Sequence, residues 1–188
     1  FLPYELSETR ATLTAFDFSG NAIDFPGLET QQQPLDIMLQ YLHRFHSATT
    51  SGSLDISGFG LFYVPPSCFT LMTMITELDI SRNYIEDLHP DIKALQQLRK
   101  IDFHSNNMTS LPLELCLLPS LETIITYDNE LLSPPPEIIE RGALHIMEYL
   151  KRYMIVRRGS ALDLGGGRLV RLLGGILAVD PFNQVDRT

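Results

Sequence analysis

The chain has 188 residues, enough to bury a sizeable core. Its 23 acidic residues against 14 basic ones give a net charge of −9, the wrong sign for a nucleic-acid binder, which carries a basic stripe. With 44% hydrophobic and 20% charged residues it has the balance of a folded globular chain, and no apolar run approaches the ~18 residues that suggest a membrane span.

The start, "FLPYELSETR", has neither the basic region nor the apolar stretch of a signal peptide. Cys68 and Cys116 are too few for a disulfide framework. Together these lead us to expect a reducing, intracellular and cytoplasmic setting. "NMT" at Asn107–Thr109 is a glycosylation sequon of a kind that arises often by chance. "LPYEL" at Leu2–Leu6 reads like "LPLEL" at Leu111–Leu115. The chain is therefore expected to start in mid-repeat, as an excerpt of a longer array.

Next comes "LTAFDFSGNAIDFP", with Leu13, Phe16, Phe18, Asn21 and Ile23 in a pattern that recurs below. Leu35, Met38, Leu42 and Phe45 follow at helical spacing. The polar stretch "HSATTSGS" reads as a linker, and "SLDISGFGL" then opens a new block with Leu54, Ile56 and Leu61 in phase. Three units start at Ile75, Leu98 and Leu121, each 23 residues after the last. Their apolar positions match: Leu78, Ile101 and Ile124; Ile85, Met108 and Leu131; Ile92, Leu115 and Ile138. Asn83, Asn106 and Asn129 fall in register, and Asn21 joins them, whereas Phe59 stands where the column wants asparagine.

The common pattern is LxxLxLxxNxL. Short strands of this kind stack in parallel about 4.8 Å apart. Their alternating apolar side chains are buried only when a neighbouring unit covers them. The asparagine amide supplies hydrogen bonds that the turn backbone would otherwise lack. "SPPPE" gives a rigid start to a second helical stretch, in which Ile139, Ala143, Ile146, Met147, Leu150, Tyr153 and Met154 recur at helical spacing. "IVRRGS" reads as a second linker, and "LDLGGGRL" opens a further block, 108 residues after "LDISGFGL".

The pattern resembles a leucine-rich repeat. Residues 75–154 are similar to the ends of arrays in plant intracellular Ras-group-related repeat proteins and ROCO-type GTPase proteins. One departure is Asn129-Glu130-Leu131 where those arrays have Asn-Pro-Leu. The resemblance implies an α/β solenoid with a parallel strand ladder on its concave face and helical segments on the convex side and between blocks. It also implies a protein-interaction scaffold within a larger intracellular protein. The expected organisation is the end of one block with a helical splice over 1–50, a block ending in a helix over 51–154, and a linker with the start of a further block over 155–188.

Catalytic and cofactor motifs are weak. There is no GxxxxGK[ST], HExxH or GxSxG, so no enzymatic role and no cofactor is expected. Gly165–Arg168 reads as a tight turn. His43 and His46 have metal-like spacing but no third ligand, and the other histidines, His89, His104 and His145, lie on separate units. Arg157–Ser160 resembles a basophilic kinase site.

The concave face carries the functional expectation. One column there reads Asp17, Asp55, Asp79, Asp102, Ile125 and Asp163. The next reads Ser19, Ser57, Ser81, His104, Tyr127 and Gly165. Carboxylates about 5 Å apart repel by about 0.8 kcal/mol per pair in water, and a basic partner would relieve that. The expected docking residues are Asp55, Asp79, Asp102, His104, Ile125 and Tyr127, for a protein partner with a basic segment. Two alternatives stand beside this reading: a regulatory repeat region of a multidomain signalling enzyme such as a ROCO-like GTPase, and an extracellular ligand-binding array.

Overall fold

In a computed structural model the described residues are 1–162. Residues 1–151 form one compact unit, and the described residues from Arg152 to Leu162 fall outside it. The expected third block, with Asp163, Leu164, the Gly165–Arg168 turn and Leu169, lies outside the described residues.

The centre of the first unit is a four-stranded parallel sheet. Its strands are β1 (Ser53–Asp55), β2 (Glu77–Asp79), β3 (Lys100–Asp102) and β4 (Thr123–Ile125), in that order. Ser53 pairs with Glu77, Glu77 with Lys100, and Lys100 with Thr123, so the rungs stand in register at the repeat spacing. Alternation then dictates the core. Leu54, Leu78 and Ile101 point inward and are buried, as are Ile56, Ile80 and Phe103 two residues on. Ile124, on the last rung, is half-buried.

After each turn the chain returns over the convex side. Helices α1 (Leu28–Gln31) and α2 (Leu35–Ser51) precede the sheet, and the returns use helix α3 (Pro66–Leu71), then 3-10 turns at Pro90–Ala94 and Leu113–Leu117. Proline sits at or just before the start of each, where a missing N–H costs nothing. Cys68, Ile92, Leu115 and Ile138 form one buried column across these returns, so Cys68 serves as a small apolar side chain.

The asparagines bind the rungs together. Asn83 accepts from the Leu61 N–H through Oδ1 at 3.0 Å, and its Nδ2 donates to the carbonyls of Ile56 at 3.0 Å and Ile80 at 2.9 Å. Asn106 repeats this with the Ile85 N–H and the carbonyls of Ile80 and Phe103. Asn129 repeats it with the Met108 N–H and the carbonyls of Phe103 and Thr126. Each amide thus holds its own turn and the unit before it, as a leucine-rich-repeat solenoid requires.

The block boundaries are longer helices than the sequence suggests. Helix α1 is a single turn (Leu28–Gln31), and α2 spans Leu35–Ser51, taking in most of the stretch expected to be a linker. The reason is packing. Ala48 is buried on the same face as Met38, Tyr41, Leu42 and Phe45, so the polar run simply forms the outer side of an amphipathic helix. Gly52, at φ 72°, ends the helix and donates its N–H to the Ala48 carbonyl.

The second helical stretch is two helices rather than one. Helix α4 (Pro136–Ile139) is separated from α5 (Ala143–Leu162) by Gly142 at φ 84°. Helix α5 continues through Ile155–Ser160, which was expected to be a linker.

Two further departures concern the ends of the ladder. Residues 13–26, expected to supply a strand, contribute none to the sheet. They keep the local turn of a rung: Gly20 is left-handed at φ 77°, matching Gly58, Arg82, Ser105 and Asp128. At the first strand, Phe59 replaces asparagine because its neighbour is α2 and not another rung. It packs edge-on against Tyr41 at 5.3 Å.

Candidate functional site

The strand residues between the inward apolar positions face the concave side. Four columns run across the ladder. The outermost is Ser53, Glu77, Lys100 and Thr123, all exposed. Next are Asp55, Asp79, Asp102 and Ile125, then Ser57, Ser81, His104 and Tyr127, then Gly58, Arg82, Ser105 and Asp128.

The aspartates do more than solvate this face. In each case Oδ1 accepts the backbone N–H two residues on: Asp55 from Ser57 at 3.0 Å, Asp79 from Ser81 at 2.9 Å and Asp102 from His104 at 3.0 Å. Asp17 does the same with Ser19 at 2.8 Å. This is an Asx-turn, the way a short acidic side chain closes the backbone after a strand. The Asp-x-Ser spacing was visible in the sequence as its only signal.

Two of the carboxylates are also matched by a base within the chain. Arg44 on α2 reaches Asp55 at 3.4 Å, and His104 Nδ1 donates to Asp102 at 2.7 Å, with both side chains largely buried. Burial pushes the Asp55 carboxyl up, but the Ser57 hydroxyl and N–H and the Arg44 charge outweigh it and leave the pKa below the usual carboxylate range. Asp17 is likewise lowered, by the Ser19 N–H. The mutual repulsion expected along the acidic column is therefore already relieved at Asp55 by a cation, while Asp102 Oδ1 already accepts the His104 backbone N–H and contacts its imidazole. Among the described residues Asp79 has no ion-pair partner.

His104 and Tyr127 form the most distinctive part of the face. Their rings stack 4.6 Å apart at 19°. Asp102 fixes the imidazole from below, and Tyr127 covers it while remaining 59% exposed. Ile125 lies one column over on the same rung, half-buried. The structure thus brings Asp102, His104 and Tyr127 into contact, sets Ile125 and Asp79 on adjoining positions, and ties Asp55 to α2.

A second aromatic pair was not singled out from sequence. Phe62 and Tyr84 stack at 5.3 Å on the loops after the turns, and both are more than half exposed. Among the described residues no cluster of three or more metal-binding side chains occurs, and no helix is long and apolar enough to cross a membrane.

Comparison with known proteins gives partial matches. No family model matches the chain. The probable serine/threonine-protein kinase pats1 of Dictyostelium discoideum is 30% identical over 91 residues, which is 45% of this chain and 3% of that protein. The leucine-rich-repeat domain of the type III effector XopL overlays 69% of this chain and 40% of its own, with a TM-score of 0.44 and 15% identity. A leucine-rich-repeat protein of Leptospira interrogans overlays 47% of this chain and 28% of its own, with a TM-score of 0.33 and 20% identity. In each case less than half of the compared protein is spanned. The leucine-rich-repeat fold of this chain rests on its own ladder of in-register strands and bridging asparagines.

Proposed function

We propose that the chain is a non-catalytic protein-interaction segment of a larger intracellular protein, and that its partner docks on the concave face around Tyr127, His104 and Asp79. The observation that carries this reading is the stack of the exposed Tyr127 ring on the buried His104 ring. A rigid aromatic with one face packed and one exposed is the kind of anchor that dominates interfaces, because little side-chain entropy is lost on binding. Ile125 adds apolar surface next to it. Asp79 and Glu77 supply the unmatched negative charge, which favours a partner with a basic segment and would steer it on approach.

The test uses a Lys- and Arg-rich peptide containing one aromatic residue, titrated at two salt concentrations. Tyr127→Ala should weaken binding about tenfold or more. Glu77→Lys and Asp79→Lys should weaken it further at low salt than at high salt. Equal affinity for all four proteins, with the fold intact, would move the interface off this face.

A second reading is favoured by the 91-residue stretch of 30% identity with a probable protein kinase. In it the ladder is a regulatory segment of a multidomain signalling enzyme, such as a ROCO-like GTPase. The docking surface is the same, and the partner is then another domain of that enzyme.

A further inference from the structure

We propose that Leu13–Asn21 is an acceptor edge for one further leucine-rich strand, laid parallel to it as β1 lies beside β2. This stretch has the local form of a rung. Asp17 closes its turn on Ser19, Gly20 is left-handed, and Asn21 Nδ2 donates to the Phe18 carbonyl at 3.0 Å, as Asn83 does to Ile80.

The bonds that reach across to a preceding unit are missing. In the inner rungs each asparagine Oδ1 accepts an N–H 21 or 22 residues upstream, and Nδ2 donates to a carbonyl 26 or 27 upstream. Among the described residues the Asn21 side chain makes only local bonds, to Phe18 and Ser19. Among the described residues, no backbone N–H of Thr14–Phe18 and no carbonyl of Thr14–Asp17 has a backbone partner. Phe16 is 39% exposed, whereas its counterpart Leu78 is 2% exposed.

The surroundings fix where the strand would lie. One hollow beside Phe16–Phe18, of about 310 Å³, is shared with Leu35 and Met38 of α2. Another, of about 380 Å³, is bounded by Phe1, Leu2, Asn21 and Ile23. Asn21 itself borders the second.

Internal repetition identifies the chemistry that fits. Leu13, Phe16, Phe18 and Asn21 correspond to Leu121, Ile124, Thr126 and Asn129. The Leu2 N–H donates to the Phe25 carbonyl at 2.8 Å, as the Leu111 N–H does to that of Ser133 at 3.0 Å. Phe1 therefore stands where Ser110 stands. The neighbour that β4 accepts on its near side is the rung within Leu98–Thr109, so the occupant of this edge is a strand of the pattern LxxLxLxxNxL in that register.

The experiment extends the 188-residue chain at its N-terminus by a copy of Leu98–Thr109, "LRKIDFHSNNMT", joined directly to Phe1. Hydrogen exchange at Thr14–Phe18 is expected to slow by about tenfold or more, and the thermal midpoint to rise. Asn21→Ala in the extended chain should remove most of that protection, while Asn21→Ala in the unextended chain serves as the folding control. Unchanged exchange, or equal protection from a scrambled extension of the same composition, overturns the proposal. So does protection already present in the unextended chain that grows with protein concentration, which would make a second copy the occupant.

Discussion

Phe59 meets Tyr41 edge to face at the rung where the asparagine column is interrupted. An asparagine there would aim its amide at a helix whose backbone groups are already bonded. We therefore expect Phe59→Asn to destabilise the chain by about 2 kcal/mol although it restores the repeat pattern, because it removes an aromatic contact and leaves an amide poorly matched. Urea unfolding would show it as a lower midpoint with an unchanged slope. A midpoint at or above that of the parent would show that the interruption is incidental.

The asparagines should differ sharply in weight. Asn106 is buried, and its amide is bonded both within its own turn and to the preceding unit. Asn106→Ala leaves the Ile85 N–H without its partner and takes one of two amide donors from each of the Ile80 and Phe103 carbonyls, at a cost of about 2 kcal/mol. Asn21 is exposed with local bonds only, and Asn21→Ala should cost about 0.5 kcal/mol. Parallel denaturation curves of the two variants decide this.

The left-handed column offers a backbone test. Gly58 has φ 70° and open space where a Cβ would sit, so Gly58→Ala should lose about 1 kcal/mol from conformation alone. Arg82 holds φ 56° with a side chain attached. Arg82→Gly relieves that conformation but loosens the unfolded chain, for a net gain of about 0.5 kcal/mol. Opposite shifts in thermal midpoint are expected.

Asp55 makes stability depend on acid. Its folded pKa is lowered, so its contribution is fully present above the unfolded value of about 3.9 and is lost as pH falls through the folded one. Asp55→Asn should flatten the fall in stability below about pH 4 and leave the neutral-pH slope unaltered. Arg44→Met should flatten it partly. Chemical denaturation at a series of pH values measures both.

The Cys68 thiol is pushed up to about 12 by burial, so it carries almost no thiolate at neutral pH. Cys116 is more accessible. A thiol reagent at pH 8 should label Cys116 first, and Cys68 only at the rate of unfolding. Mass spectrometry of partly labelled protein distinguishes them.

The legible part of this fold is the part governed by local spacing. The 23-residue step put Leu78, Ile101, Asn83 and Asn106 in their columns because strand, turn and return each occupy fixed lengths. What escaped depends on neighbours. Residues 13–26 carry the repeat pattern yet contribute no strand, since a strand exists only through pairing with another. The run from His46 to Ser51 looked like a linker because one buried residue, Ala48, is too weak a signal against five polar ones. At the concave face the column of aspartates was visible, but not that each closes its own turn or that Arg44 and His104 already answer two of them.

The in-register ladder also has a mechanical meaning. Every asparagine bridge and every strand pairing joins one unit only to the next. Tension applied along the stack, for instance between Ser53 and Ile125, loads these junctions in series, so the weakest yields before the rest bear more force. Stretched this way, the ladder should lengthen in small successive steps and recoil when released, a spring with as many turns as it has rungs.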